Sequence, residues 1–396
     1  MKKQITLIAT LILMGIYPFQ VYGMSNISPP NILSEAAIVI DAKSGDVIYE
    51  KNKSVKMYPA SLTKIATAIY AIENGNLDDV VTVSENARNT EGTSVYLEEG
   101  EKVTLKKLLQ GLLINSGNDA GVAIAEHLSG SVKDFSDDIN EYLQKEVGVH
   151  NTNFKNPHGL FEPSHVTTAE GLAKITQYAF KNKLFREIFA TEKLEWEGES
   201  WDTTLITHHK LMREIPYEGI TGGKTGYTGQ SGYTLATTAE RENTSLIVIT
   251  LKNNLDIEAY TDTIELLDYG FEHFQTSFVS AGKTFRVEGE EYLLPKNLFY
   301  THEVEEKVIE EVGEDGTLQL VNQEDGDVIK SITLQKISKQ RNIEEVTLMK
   351  KQVDKSKEKR MTLFESYFTE MISLFILLVL VASGGIYYFL KNKKMF

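Results

Sequence analysis

Ser61 and Lys64 are the first pair of side chains in the sequence that could carry out chemistry. Pro59 precedes them, and proline is frequent in the first turn of a helix, so the pair is predicted on one face of a helix that begins near Ser61. A serine hydroxyl becomes an effective nucleophile when a base removes its proton, and a lysine is that base only when it is neutral. The pair therefore indicates acyl transfer, and the alternative is a serine that merely caps a helix.

The spacing alone is not specific, because Ser-x-x-Lys occurs at Ser61, Ser280 and Ser356. The last of these lies in a basic run and is predicted to be solvated surface. The segment that begins at Ser280 ends like a phosphate-binding loop, but Ser277 stands where the earlier glycine belongs and no long helix follows. Only Ser61 combines a helix start after proline with a hydrophobic helix behind it.

A second motif, Ser116-Gly117-Asn118, lies between two predicted helices. The hydroxyl of Ser116 can pass a proton between Lys64 and a leaving nitrogen, and the amide of Asn118 can hydrogen-bond a substrate carbonyl. Small polar residues between helices also act as helix caps, so this motif alone leaves both interpretations open.

The third motif is glycine-rich and contains Lys224, Thr225, Gly226 and Tyr227. Glycines in a strand allow another backbone to approach closely, and a peptide that joins a sheet edge needs that access. Lys224 and Thr225 could then hold a terminal carboxylate, and the charge of Lys224 would lower the pKa of Lys64. The alternative is a glycine-rich edge hairpin with an exposed lysine.

The fold that positions these motifs is predicted to contain both helices and strands. The repeat of hydrophobic residues changes along the chain from about 3.6 residues, typical of helices, to 2 residues, typical of strands. Two strands come first, then a helical region, then strands and one long helix, which predicts an α+β fold with a mainly antiparallel sheet. The strands predicted before residue 279 are 36–41, 47–50, 193–204, 222–227, 233–240 and 246–251, and those predicted after it are 284–287, 292–294, 318–321 and 328–335. The predicted helices are 61–72, 105–115, 120–128, 132–147, 169–182, 183–191 and 257–275. We assign 30–278 to a catalytic domain and 279–346 to a small all-β domain.

The three motifs together, with their surrounding residues, resemble the penicillin-recognising serine enzymes. Within that group the chain is most similar to the low-molecular-weight D-alanyl-D-alanine carboxypeptidases of the penicillin-binding proteins. The matching segments are Tyr58–Lys64, Leu113–Ala120, Asn156–Leu160, Lys224–Thr228 and Ser231–Tyr233. The resemblance implies a sheet flanked by helices with an α-helical subdomain, and covers about residues 30–345.

The resemblance also implies a function and roles for the motif residues. Ser61 would be the acyl-ester nucleophile, Lys64 the base and Ser116 the proton relay, with substrate held by Asn118, Lys224, Thr225, Gly226 and Tyr227. The backbone N–H groups of Ser61 and Tyr227 would form an oxyanion hole. Peptidoglycan stem peptides that end in D-Ala-D-Ala would lose the last D-alanine, and β-lactams would acylate the same serine. No cofactor or metal is expected.

Two other functions stay open at this point. A β-lactamase would share the motifs, although the sequence lacks the Glu-x-x-Leu-Asn of class A enzymes. A non-catalytic wall-binding protein could retain the fold. A zinc carboxypeptidase is disfavoured because no His-Glu-x-x-His occurs, and His158 is predicted to belong to a structural turn, whereas His165 has no assigned role.

Composition and the two ends indicate where the protein acts. A formal net charge of −15 argues against nucleic-acid binding, and the absence of cysteine excludes disulfides and a thiol nucleophile. Residues 1–23 are predicted to be a signal peptide, with an uncleaved anchor as the alternative. A basic linker (347–370), a transmembrane helix (371–390) and a cytoplasmic tail (391–396) are predicted to follow, with an interfacial helix as the alternative. We expect a membrane-anchored protein with its catalytic domain outside the cytoplasm.

Overall fold

A computed structural model describes residues 28–337. The predicted signal peptide, basic linker, transmembrane helix and cytoplasmic tail all lie outside these residues. Between residues 28 and 337, no helix is long and apolar enough to cross a membrane.

The strands and helices are named here in chain order. The strands are β1 Ala36–Asp41, β2 Val47–Lys51, β3 Val80–Thr82, β4 Lys102–Thr104, β5 Lys193–Glu197, β6 Asp202–Ile206, β7 Ile220–Thr228, β8 Gly232–Arg241, β9 Thr244–Asn253, β10 Phe274–Val279, β11 Thr284–Val287, β12 Glu290–Leu293, β13 Leu298–Glu303, β14 Val308–Val312, β15 Thr317–Asn322, β16 Val328–Thr333 and β17 Gln335–Lys336. The α-helices are α1 Thr63–Asn74, α2 Glu85–Arg88, α3 Leu105–Ile114, α4 Asn118–Ser129, α5 Val132–Tyr142, α6 Ala169–Phe180, α7 Lys183–Phe189 and α8 Asp256–His273.

The central sheet has five strands in the order β2-β1-β9-β8-β7, and every neighbouring pair is antiparallel. Side chains alternate between its two faces. On β8, Leu235 and Ala239 join the apolar core under α8, whereas Ala236 joins the larger core formed with the other helices. The predicted α+β class with an antiparallel sheet is thus confirmed, and β7 is an edge strand.

The larger core is built around α1, whose residues from Thr63 to Ile69 are all buried. Its apolar side chains meet those of α3 and α4, including Leu105, Leu108 and Leu112, which are fully buried at helical spacing. Helix α3 begins where the Thr104 hydroxyl accepts a hydrogen bond from Lys107 N–H. This packing fixes the helix that carries Lys64 and the loop that follows α3.

Several elements differ from the sequence prediction. The single strand predicted at 193–204 is the hairpin of β5 and β6. The predicted helix 132–147 is α5 followed by a π-helical turn, Leu143–Val147, which ends at Gly148 with φ 74°. Strands β3 and β4 were not predicted, because three-residue strands carry too little alternation to recognise.

The strands after α8 pack on a separate apolar core that includes Leu294, Leu318 and Leu320. The assigned domain boundary at 278 falls inside β10, which pairs with β13. The β1–β2 turn contacts these strands: Asp46 accepts from Thr301 N–H at 3.0 Å and pairs with Lys330. The small all-β domain is therefore joined to the central sheet by side-chain contacts as well as by the covalent connection through the backbone.

Candidate active site

Ser61 lies in a short 3-10 turn, Ala60–Leu62, directly before α1. Ala60 has a positive φ of 48°, so the chain bends sharply just before the serine. The Thr234 hydroxyl of β8 donates to the Pro59 carbonyl at 3.1 Å. A Cβ on Gly226 would lie 2.8 Å from the Ser61 backbone nitrogen. The nucleophile candidate is therefore held against the edge strand, and a glycine at 226 permits this approach.

Lys64 is fully buried and its Nζ has three polar neighbours. These are Ser61 Oγ at 3.0 Å, Asn118 Oδ1 at 2.7 Å and the His158 carbonyl at 2.8 Å. A neutral amine has two N–H bonds and one lone pair. Because the two oxygens of Asn118 and His158 can only accept, both N–H bonds are used there and the lone pair is left for the Ser61 hydroxyl. This geometry suits a general base.

The electrostatic environment favours the neutral amine. Burial is the largest cause that lowers the pKa of Lys64 well below its ordinary value, and the charge of Lys224 lowers it further. The carboxylate of Asp119 acts in the opposite direction. The predicted effect of Lys224 on Lys64 is therefore present but second to burial.

Asn118 is the first residue of α4, and both ends of its amide are used. Nδ2 donates to the Glu91 carbonyl at 2.7 Å, which turns Oδ1 toward Lys64. Ser116 is 4% exposed and has a positive φ of 64°. Its hydroxyl is not among the hydrogen-bond partners of Lys64 Nζ in the described part of the chain. The structure thus joins Ser61, Lys64 and Asn118 by hydrogen bonds, with Ser116 in the adjoining turn.

The third motif lies on β7, whose outer edge has no neighbour within the five-stranded sheet. Lys224 is buried, and burial lowers its pKa to about 7. Its Nζ donates to the Thr225 carbonyl at 2.9 Å. Tyr227 is 59% exposed and its ring lies 4.6 Å from that of Tyr233. An open strand edge beside a buried ammonium group can accept an extended peptide that ends in a carboxylate.

The turn from Asn156 to Leu160 supplies the carbonyl that binds Lys64. Asn156 Oδ1 accepts from Gly159 N–H at 2.7 Å, and His158 Nδ1 accepts from Leu160 N–H at 3.2 Å. Gly159 has φ 91°, and a Cβ there would lie 1.8 Å from the Ala60 carbonyl oxygen. His158 is thus part of a structural turn, as predicted, but its backbone oxygen contacts the candidate base, which sequence reasoning missed.

Three further buried polar residues near the site were missed. Asp119 accepts from Val95 N–H at 3.0 Å, from Leu97 N–H at 3.1 Å and from Ala120 N–H at 2.9 Å, and so ties the 91–97 loop to α4. An acid in the first turn of a helix is ordinary in sequence, so no signal marked it as buried. The other two residues are His165 and His209.

His165 stabilises the turn that carries Ser61. The Thr63 hydroxyl donates to the Ala60 carbonyl at 2.9 Å, so it must accept from His165 Nε2–H at 2.8 Å. His165 Nδ1 accepts from Lys155 N–H at 3.0 Å. Burial, with Lys64 and Lys155 nearby, lowers its pKa to about 3, which agrees with a neutral ring. Among residues 28–337, no cluster of His, Asp and Glu side chains could hold a metal ion.

The residues of the candidate site all lie within the part of the chain that matches a known family. Residues 24–254 match the peptidase S11 family model described as D-alanyl-D-alanine carboxypeptidase. The chain is 34% identical over 250 residues to D-alanyl-D-alanine carboxypeptidase DacF of Bacillus subtilis, which covers 61% of this chain and 63% of that protein. It is 31% identical over 282 residues to DacA of Haemophilus influenzae, which covers 65% of this chain and 67% of that protein.

The fold is similar to that of penicillin binding protein 5 from Haemophilus influenzae. The two structures align with a TM-score of 0.70 at 28% identity, over 78% of this chain and 98% of the other. The sequence match to DacF spans somewhat less than two thirds of that relative's length.

Proposed function

Because the chain belongs to the D-alanyl-D-alanine carboxypeptidase family, we propose that it removes the terminal D-alanine from peptidoglycan stem peptides that end in D-Ala-D-Ala. The observation that carries this proposal is that Lys64 Nζ lies within hydrogen-bond distance of Ser61 Oγ, Asn118 Oδ1 and the His158 carbonyl. In a neutral amine, the two N–H bonds go to Asn118 and His158, and the lone pair is left for the Ser61 hydroxyl. The substrate carboxylate would bind Lys224 on the open edge of β7. No cofactor is required by this chemistry.

In the first half of the reaction, Lys64 takes the proton of Ser61 as the serine oxygen attacks the carbonyl carbon of the penultimate D-alanine. The backbone N–H groups of Ser61 and Tyr227 would stabilise the oxyanion, an assignment supported by the close approach of Gly226 to Ser61 N. The proton then passes to the leaving nitrogen, with Ser116 as the relay. The C–N bond breaks, and D-alanine leaves.

In the second half, water attacks the acyl ester and transfers one proton to Lys64. The ester bond to Ser61 Oγ breaks, the serine takes the proton back from Lys64, and the second proton of the water is lost to solvent. The shortened peptide is released with a new carboxylate. A β-lactam would acylate Ser61 by the same attack, with opening of its ring in place of loss of D-alanine, so it should be a covalent inhibitor.

The test is labelling of the purified protein with a fluorescent penicillin, followed by mass spectrometry of the adduct. We expect one adduct on Ser61 and none in Ser61→Ala. Ser280→Ala is the matched control, because it removes the serine of another Ser-x-x-Lys segment and should label normally. Labelling that survives in Ser61→Ala would contradict the assignment.

A peptide assay separates the proposed reaction from the alternatives. Diacetyl-Lys-D-Ala-D-Ala should lose D-alanine with the wild type. Rapid nitrocefin hydrolysis without release of D-alanine would instead indicate a β-lactamase. No covalent labelling and no D-alanine release would indicate a non-catalytic wall-binding protein.

We also propose that the protein is exported and anchored in the cell membrane with its catalytic domain outside. The support is in the sequence: the apolar N-terminal segment before residue 23 and the uncharged run at 371–390. Deletion of residues 371–396 should move the protein from the membrane fraction to the soluble extracytoplasmic fraction. A protein that stays in the membrane fraction after this deletion would contradict the C-terminal anchor.

A further inference from the structure

His209 is a buried imidazole to which the proposed reaction gives no role. It lies in the connection between β6 and β7, and is 1% exposed. Its Nε2 is 2.8 Å from Thr237 Oγ1 on β8, and its ring meets the Tyr260 ring of α8 edge-on with centroids 5.6 Å apart. Nδ1 has no hydrogen-bond partner among the described residues. The ring is therefore held in place by packing and by one hydrogen bond.

The imidazole packs directly against the backbone of β7. A Cβ on Gly223 would lie 2.2 Å from His209 Cδ2 and 2.5 Å from Nε2, so no side chain fits between them. Gly223 is also the residue of β7 that pairs with Thr237 of β8. One ring thus contacts the edge strand and hydrogen-bonds the residue that faces it on the next strand.

Lys224 follows Gly223, and successive residues of a strand point to opposite faces of the sheet. Gly223 and His209 lie on the α8 face, with Tyr260. The partner of Lys224, Ala236, belongs to the core on the opposite face. The His209 ring therefore packs against the strand segment that carries Lys224, on the face of the sheet opposite to the Lys224 side chain. Because β7 is an edge strand, β8 is its only neighbouring strand within the five-stranded sheet.

We propose that His209 is a positioning residue that fixes the backbone of β7 at Gly223 and thereby sets how deeply the Lys224 ammonium group enters the active site. The inference rests on the proposed function, in which Lys224 binds the substrate carboxylate. It assigns to His209 a steric role with no proton transfer.

The charges around Lys224 agree with a steric role. Lys64 approaches it from α1, and His208 and His209 approach from the connection before β7. Burial and the charge of Lys224 lower the pKa of His209 to about 3, so the ring is neutral at neutral pH. Burial is also what lowers the pKa of Lys224 to about 7, so a looser strand that admits water should raise it.

Four variants of the full chain test the proposal: His209→Ala, His209→Gln, Gly223→Ala and the double variant His209→Ala/Gly223→Ala. The measurement is the second-order rate of acylation by a fluorescent penicillin, recorded over a wide pH range. Thermal unfolding shows that each variant is folded. Glutamine is the matched control, because its Nε2 can still reach Thr237 and its bulk still fills the space.

His209→Ala should lower the rate about 10- to 100-fold, the size expected when a binding group moves by about 1 Å. It should also shift the high-pH loss of acylation to higher pH, an effect that a loss of global stability alone would not produce. His209→Gln should stay within about threefold of the wild type. Gly223→Ala should also lower the rate, because its methyl group collides with the ring.

The double variant gives the sharpest result. The methyl group added at position 223 can occupy the space that the imidazole ring left. The double variant should therefore be acylated about tenfold faster than Gly223→Ala alone. A double variant no faster than Gly223→Ala, or a folded His209→Ala with an unchanged high-pH limb, would overturn the role of His209. If His209→Ala does not fold, the same comparison is made with His209→Ser. If the wild type itself is not labelled, the proposed function is contradicted, and this inference loses its basis.

Discussion

Replacement of Asp119 by asparagine keeps the size of the side chain but removes a buried negative charge near Lys64. In the wild type, Oδ2 accepts from Val95 N–H at 3.0 Å and Leu97 N–H at 3.1 Å, and Oδ1 accepts from Ala120 N–H at 2.9 Å. An asparagine places its oxygen at one of these positions and its N–H₂ group at the other, where it faces a donor. One lost hydrogen bond and one opposed pair of donors should lower the free energy of unfolding by about 2–4 kcal/mol.

The same change should alter the pH dependence of acylation in a defined direction. Asp119 raises the pKa of Lys64, so its neutralisation should lower that pKa further. Lys64 acts as a base only when neutral, and acylation is lost at low pH as it becomes protonated. The low-pH limb of the Asp119→Asn variant should therefore move to lower pH, although the protein is less stable.

The assay combines thermal unfolding with the rate of penicillin acylation as a function of pH. We expect the unfolding midpoint to fall by about 4–8 °C. Asp262→Asn is the matched control, because Asp262 is a buried carboxylate that accepts from Leu33 N–H at 2.9 Å, Ser34 N–H at 2.6 Å and Asn253 Nδ2 at 3.0 Å. It should lower stability by a similar amount and leave the low-pH limb in place. An unchanged limb in Asp119→Asn, or one moved to higher pH, would refute the electrostatic reasoning.

Three further predictions concern the remaining site residues. Ser116→Ala should slow acylation about 10²- to 10⁴-fold with an unchanged unfolding midpoint, as expected for a lost proton relay; a rate within about threefold of the wild type would fall far short of that loss and would contradict the role. Gly159→Ala should lower both stability and acylation, because its Cβ would lie 1.8 Å from the Ala60 carbonyl oxygen, and thermal unfolding and labelling measure the two effects. Acylation by carboxylate-bearing β-lactams should decline above about pH 7, where Lys224 loses its proton, and Lys224→Arg should move this decline to higher pH because a guanidinium group stays charged.

The class of fold followed from hydrophobic periodicity. The strands that form the central sheet and the long helix that covers it were predicted to within a few residues, because each has one apolar face or an apolar run bounded by turn residues. The hairpin of β5 and β6 was read as one strand, since the residues of its turn break the alternation only briefly. Local patterns of this kind identify elements well and short turns poorly.

The pairing of Ser61 with Lys64 could also be predicted, because one helix brings residues three apart onto one face. The relative size of the effects that shift the pKa of Lys64 could not be predicted. The sequence suggested that Lys224 keeps the amine neutral, whereas burial is the larger cause and Asp119 opposes it. Burial depends on how many segments close over a side chain, and no local spacing reports that number.

The sequence alone thus determined which residue types are available for acyl transfer and on which elements they lie. Only the tertiary structure decided which backbone atoms complete the site: the His158 carbonyl that uses an N–H bond of Lys64, and the Gly223 backbone that rests on His209. Such contacts join segments far apart in the chain through atoms that every residue has. Residue identity therefore carries little information about them, and they emerge only when the chain is folded.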